Sequence, residues 1–514
     1  MKQQLTLIFF ILIGFSFQNK NSLAQSRNFT AIRAGVYFDQ PIREWDGFGF
    51  NYVESAHFVD KNISKEAERA KRWWNEQHPG KDFFIQEYGG FSLLDEKEKD
   101  EVIELVFGED GLKPGVVKMF LDAHHQKEPG GPFDHETSTS YMREFVKRGL
   151  KVTRDRGADF QIITTLYGPP GFMTKQKVDR GRDLDPAMKE DLALYMIDWV
   201  RFLKEKDGLP VRYLSLHNEG EDWTRWNQEG HTDWFGHDFN LYWPPAQVNE
   251  FVKYMPKMMK KYGLEDVGIT NGEPSNWYRF VGWGYADFLA NDKEAVKNLG
   301  LITTHGFYNG IYGTWFGEHN SYPNDILRKQ RPELHTWVTS TSWANMDASF
   351  VKQIHGNIYT SKVNAIIPWA GIQRPAHWVG GDPNPGNAIQ VNEDGNYQVR
   401  KGYYFYKQAS CAGQPGMKVV RTFAMNSEIA VIGFAQDRTK NTDSFIVVNT
   451  SGEKVKKVTV EIHGSKYKQF EAFRTVDAEG YDADRYKAIG TFNVSDGAVD
   501  IEMLPGSVVT FFGK

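Results

Sequence analysis

A single cysteine, Cys411, stands in the 514 residues, so no internal disulfide can staple the chain. Stability has to come from burial, and this length allows a large core and two domains. Cys411 itself reads as a small buried apolar residue. Excess positive charge is also missing. The formal net charge is −5, and no basic stripe with interleaved aromatics occurs, which argues against a nucleic-acid partner. No apolar run is long enough to span a bilayer. The longest, Leu5 to Phe17, follows Lys2 and precedes the small-x-small site Ser22-Leu23-Ala24, so residues 1–24 read as a cleavable secretory signal. With no Cys at the cleavage point, a lipid-modified anchor is not available, and the expectation is a secreted or periplasmic protein without membrane insertion.

Aromatic residues, by contrast, are plentiful at 14%, with 15 Trp and 23 Tyr, and many of the Trp fall in expected loops. Core packing explains such residues; flat platforms for sugar rings explain them equally.

The segments 45–52, 114–122, 159–167, 211–219, 266–274, 299–308, 333–343 and 363–369 read as apolar strands. Between them, helical patterns are expected at 95–107, 134–150, 185–206, 246–262, 283–297, 323–330 and 348–359, with a further one at 64–83 in an elaborated first connection. Alternation of this kind predicts an α/β fold, a (β/α)8 TIM barrel over residues 46–404. A doubly wound sheet would show fewer strands, and no Gly-rich phosphate fingerprint follows the first one. After about residue 405 the pattern changes to short strands separated by Gly, Asn and Asp turns, predicting an all-β sandwich over 405–514. Residues 25–45 are expected to add one or two strands to it.

Ligands bind beyond the carboxyl ends of barrel strands, and here those ends are polar or aromatic: Asn51, Asp122, Tyr167, Asn218-Glu219, Glu273, His305, Ser340 and Trp343, and Trp369. Glu219 can exchange a proton and Asn218 can hold a hydroxyl beside it. Taken alone, the same pair also suits a helix-start cap, and Glu273 before Pro274 also suits a turn. A metal at Asp122, His124 and His125 would need a spacing that matches no standard ligand set. No metal or cofactor is expected.

The ordered set Asp46-Gly47-Phe48-Gly49-Phe50, Tyr167-Gly168-Pro169-Pro170-Gly171-Phe172-Met173, His217-Asn218-Glu219, His305-Gly306-Phe307-Tyr308, Trp337-Val338-Thr339 and Trp369 resembles glycoside hydrolase family 30 and its clan A relatives. The tail pieces Tyr403 to Ser410, Val447 to Thr450 and Leu504 to Phe511 resemble it as well. The resemblance implies a β-glycosidase with a carbohydrate partner. It also implies Glu219 as general acid/base, Asn218 on the sugar 2-hydroxyl, His305 and Tyr308 lining the subsite, and Trp369 under the ring.

One position departs from that pattern. The family carries its nucleophilic Glu after Trp-x-Thr/Ser on the seventh strand, and this chain has Ser340 there. Three accounts remain open. The reaction is inverting, with water in the vacated space and Glu273, or less directly Asp122 or Glu221, as base. Alternatively, Glu273 is itself the nucleophile. In the third account the chain binds glycan without cutting it. Inverting carboxylates sit roughly 6.5–9.5 Å apart, against roughly 5–5.5 Å for retaining pairs. A uronic or sulfated substrate would call on Arg225, Arg279 or Arg374.

Overall fold

The computed structural model describes residues 31–54, 76, 89–232, 241–307, 319–342, 347–374, 387–392 and 394–514. Eight parallel strands close into a barrel: β2 (Gly47–Asn51), β3 (Val116–Leu121), β4 (Gln161–Leu166), β5 (Val211–Ser215), β6 (Gly268–Thr270), β7 (Leu299–Thr304), β8 (Thr336–Ser342) and β9 (Ala365–Trp369). Most are buried on both faces, as strands enclosed by helices must be. The helical segment expected at 64–83 lies outside the described residues, apart from Glu76.

Alternation along the strands sorts the barrel interior into layers. Val116, Ile163, Leu301, Trp337, Ala365 and Ile367 form a separate apolar cluster that plugs its lower end. Two residues further along their strands come Lys118 and Thr165. Two beyond those come Phe120 and Tyr167 at the mouth. Trp369 holds the same parity as Ala365 and Ile367, and its ring meets Phe120 edge-on at 5.9 Å.

The surrounding elements depart from expectation in places with local causes. Strand five is shorter than 266–274, because Gly272 at φ +76 turns the chain just after Thr270. The helix expected over 283–297 is two short helices, Tyr285–Ala290 and Lys293–Asn298, preceded by a third, Trp277–Gly282. Gly284 at φ +85 separates Trp277–Gly282 from Tyr285–Ala290, and Asp292 caps the last helix through the Glu294 and Ala295 amides. Segment 185–206 begins with a 3-10 turn, continues as the helix Lys189–Arg201 and ends in a π-helical turn, Phe202–Lys206. A small three-stranded sheet, β10 (Ile372–Gln373), β11 (Ile389–Val391) and β12 (Tyr397–Val399), caps the eighth strand and was not anticipated.

The all-β region forms one hydrogen-bonded series of nine strands. Strand β1 (Ile32–Glu44) lies inside that series, antiparallel to Lys418–Ala424 and parallel to Lys456–His463. The series folds over itself. Phe38 of β1 stacks on Phe470 at 6.4 Å, although their strands are not neighbours, and both belong to one buried cluster with Phe445, Val499 and Phe511. The helix Lys401–Ala412 runs through the expected 404/405 division, reaching the barrel through Tyr406, whose hydroxyl donates to the Gly49 carbonyl at 2.7 Å. The same helix meets the β domain where Gln408 Nε2 donates to Thr475 Oγ1 at 2.9 Å. Cys411 is buried on it. No helix among the described residues is long and apolar enough to cross a membrane.

Candidate active site

Strands four, five and six continue past the barrel rim as a short backbone ladder. Glu219 N donates to Glu273 O, Glu273 N to His217 O, and His305 N to Pro274 O, all at 2.9 Å. Glu219 leaves this ladder with φ +50, a left-handed conformation unusual for a side chain with a Cβ. Gly272 allows the His217 ring to lie against its backbone, where a Cβ would collide with it. His217 accepts from Gly220 N at 3.1 Å, and burial lowers it to about 3, so it is a neutral spacer.

The ladder brings Glu219, Glu273 and His305 together. His305 Nδ1 lies 2.7 Å from Glu219 Oε1, and its Nε2 lies 3.0 Å from Glu273 Oε2. Arg225 Nη2 donates to Glu219 Oε2 at 2.7 Å. Glu273 is fully buried and bonded at both oxygens: Oε1 accepts from Thr165 at 2.6 Å, and Oε2 accepts from the fully buried Lys118 as well as from His305. Lys118 Nζ also sits 3.5 Å from Asn218 Oδ1 and 4.6 Å from the centre of the Phe120 ring. Burial pushes the Glu273 carboxyl up, but the Lys118 charge and the His305 and Lys118 hydrogen bonds override it and hold the group well below the usual range. Burial opposes charge on His305, yet the hydrogen bonds to Glu219 and Glu273 lift it above its ordinary value. Charge therefore alternates along Lys118, Glu273 and His305, and Glu219 lies between His305 and Arg225.

Ser340 is in a second group. The pairing of β8 with β9 slips between Val338 and Thr341, so β8 holds one extra residue there. The slip puts Ser340 on the interior parity, where Asn51 Nδ2 donates to its Oγ at 3.1 Å. Tyr167, Phe120 and Trp369 form a third group, a chain of edge-on rings across the mouth.

Asp122 stands apart from these groups. Its carboxylate accepts from His124 N at 2.8 Å and Ser138 Oγ at 2.6 Å, with His125 Nε2 at 3.6 Å. Burial raises it, but His125 and Ser138 hold it well below the usual range. Glu221 accepts from Ser275 N and Oγ and from Arg279, three bonds that fix the loop after strand four. The three arginines considered for an acidic substrate face carboxylates of the protein itself: Arg225 on Glu219, Arg279 on Glu221 and Asp222, and Arg374 on Glu54 at 3.5 Å. Tyr308 and Trp343 lie outside the described residues. Among the described residues, no group of three or more His, Cys, Asp or Glu side chains is placed to hold a metal ion.

Sequence reasoning missed Lys118 and Thr165. The signal was present: one Lys inside Val116–Leu121, an otherwise apolar strand, requires an anionic partner at its own level of the barrel.

A closed (β/α)8 barrel carrying an all-β domain is a fold this chain shares with solved structures of glycoside hydrolase family 30. No family model and no curated protein matches the sequence. Solved structures do. The catalytic domain of GH30 xylanase C from Talaromyces cellulolyticus superposes with a TM-score of 0.65 at 15% identity, covering 94% of this chain and 100% of that one. A GH30 endoxylanase from Clostridium papyrosolvens gives 0.62 at 16%, covering 94% and 100%. An endo-β1,6-glucanase gives 0.63 at 15%, covering 94% of each. At these identities the likeness is one of fold.

Proposed function

We propose that this chain is an exported glycoside hydrolase acting on a β-linked polysaccharide or its oligosaccharides, with Glu219 as general acid. The observation that carries the reading is the placement of Glu219. It ends strand four of a GH30-like barrel, retains some exposure where Glu273 has none, and meets a rim residue, Arg225, at one oxygen. A leaving-group oxygen that displaces Arg225 from Oε2 reaches the proton donor without disturbing the buried His305 side. Water takes the place of the strand-seven carboxylate and attacks the sugar carbon as the leaving oxygen departs, its proton passing to a carboxylate at the barrel mouth, Asp122 in preference to the buried Glu273, which makes the reaction inverting. Ser340 and Asn51 supply donor and acceptor there, and Asn51 Oδ1 has no hydrogen-bond partner among the described residues. Asn218, Trp369 and Tyr167 are assigned to the sugar.

Ser340 favours one further reading, a protein that binds glycan without cutting it. Turnover on β-glucans, xylans and galactans, with NMR of the first-formed anomer, separates the two. The expected result is an inverted anomer and a loss of about 10²- to 10⁴-fold in Glu219→Gln. If wild type and variant are equally inert while both bind, the binding reading stands. In Ser340→Glu, a gain of retaining turnover marks a lost nucleophile, and a plain loss of activity supports water.

A further inference from the structure

We infer that Lys118 and Glu273 are positioning residues: Lys118 and Thr165 fix Glu273, which grips Nε2 of His305 and aims the Nδ1–H at Oε1 of Glu219. The inference rests on Glu219 being the proton donor and adds what sets that donor's geometry.

The argument begins with donors and acceptors. Oε2 of Glu273, an ionised carboxylate, accepts from Nε2–H at 3.0 Å, and Oε1 of Glu219, at 2.7 Å, accepts from Nδ1–H while the proton to be transferred sits on Oε2, so both nitrogens donate. The ring is therefore an imidazolium, which needs an anion beside it to stay charged in a site that is 2% exposed. Glu273 is the inner anion. Its Oε1 is taken by Thr165 and its Oε2 by Lys118 and His305. It lies one imidazole ring and two hydrogen bonds behind Glu219, on the closed side. An oxygen so engaged is not offered to a water or to a sugar carbon, which separates Glu273 from the roles of base and nucleophile. The charged and titratable groups facing His305 are Glu219 and the neutral His217 from strand four, Glu273 from strand five and Lys118 from strand two. An unpaired Glu273 would be costly at zero exposure, and Lys118, equally buried, supplies the balancing charge.

The test follows the His305 ring nitrogens by ¹⁵N NMR in the full chain, beside the pH profile of turnover. In wild type both nitrogens carry protons at neutral pH. In Glu273→Gln the ring becomes neutral at that pH. There kcat falls about 10- to 100-fold, as expected for a misaimed group, while KM is little changed, and the pH profile shifts. Lys118→Met weakens the wild-type signal and Lys118→Arg keeps most of it. Should Glu273→Gln fold poorly, the charge-balanced Lys118→Met/Glu273→Gln variant is read the same way. Unmoved ring signals in a folded variant overturn the inference, as does recovery of turnover in Glu273→Ala by formate or azide, which would mark Glu273 as base or nucleophile. The NMR readout needs no turnover, so it stands even if Glu219→Gln shows that the donor assignment is wrong.

Discussion

Removing one member of the Lys118–Glu273 pair tests the electrostatics of the site through stability. Both side chains are fully buried. Breaking such a pair costs about 3–5 kcal/mol, because the survivor is an uncompensated charge in a low dielectric. The structure ranks the two single variants. After Lys118→Met, Glu273 keeps Thr165 at 2.6 Å and His305 at 3.0 Å, so the cost falls near the lower end, about 3 kcal/mol. After Glu273→Gln, Lys118 loses its carboxylate and is left a buried cation beside a neutral oxygen of Asn218 at 3.5 Å and the face of Phe120, which places it near the upper end, about 5 kcal/mol. The double variant removes both charges and should cost well under either single change, about 2 kcal/mol or less. The assay is urea denaturation of the full chain, comparing the barrel transition across the four proteins. Additive single effects, or single costs under about 1 kcal/mol, would refute the reasoning. The sign with pH is fixed as well. Glu273 is depressed in the folded state, so its contribution is present above an unfolded value of about 4.3 and is lost as pH falls toward the folded one. Wild type and Glu273→Gln should therefore converge in stability only in strong acid.

His305 is raised in the folded state, so its contribution is complete below about pH 6.5 and is lost as pH rises through the folded value. Melting temperature should decline as pH rises above about 6.5 in wild type and decline less in His305→Asn; parallel curves would remove His305 from the account. Gly371→Ala should cost about 1–3 kcal/mol, because a methyl there overlaps the buried Phe50 ring. The Gly371 amide donates to Asn51 O at 2.9 Å, so activity should fall with stability, and Phe50→Leu in the same chain should recover part of the stability.

The barrel was readable from residue pattern because each of its strands is a buried apolar run ending in polar groups, and that pattern requires no knowledge of distant residues. Alternation within a strand was readable too: Val116, Lys118 and Phe120 share one face whatever the neighbouring strands contain. Glu219 was found by the same logic, as a carboxylate where a strand must stop. Tertiary structure decided what those positions meet. Lys118 on strand two, Thr165 on strand three, Glu273 on strand five and His305 on strand six become one array only when the barrel closes, because closure brings their levels into register across its interior. The slip between β8 and β9 turns Ser340 toward Asn51, a choice made by pairing between strands and invisible in either strand alone. Arg225, read from sequence as a contact for an acidic substrate, pairs with Glu219 because the 3-10 turn Trp223–Arg225 folds back over the strand end six residues earlier. Local sequence determined which residues face inward and where strands end, since those follow from a two-residue period and from turn chemistry. Which inward charges neutralise one another followed from closure, because a Coulomb partner is chosen by distance in space.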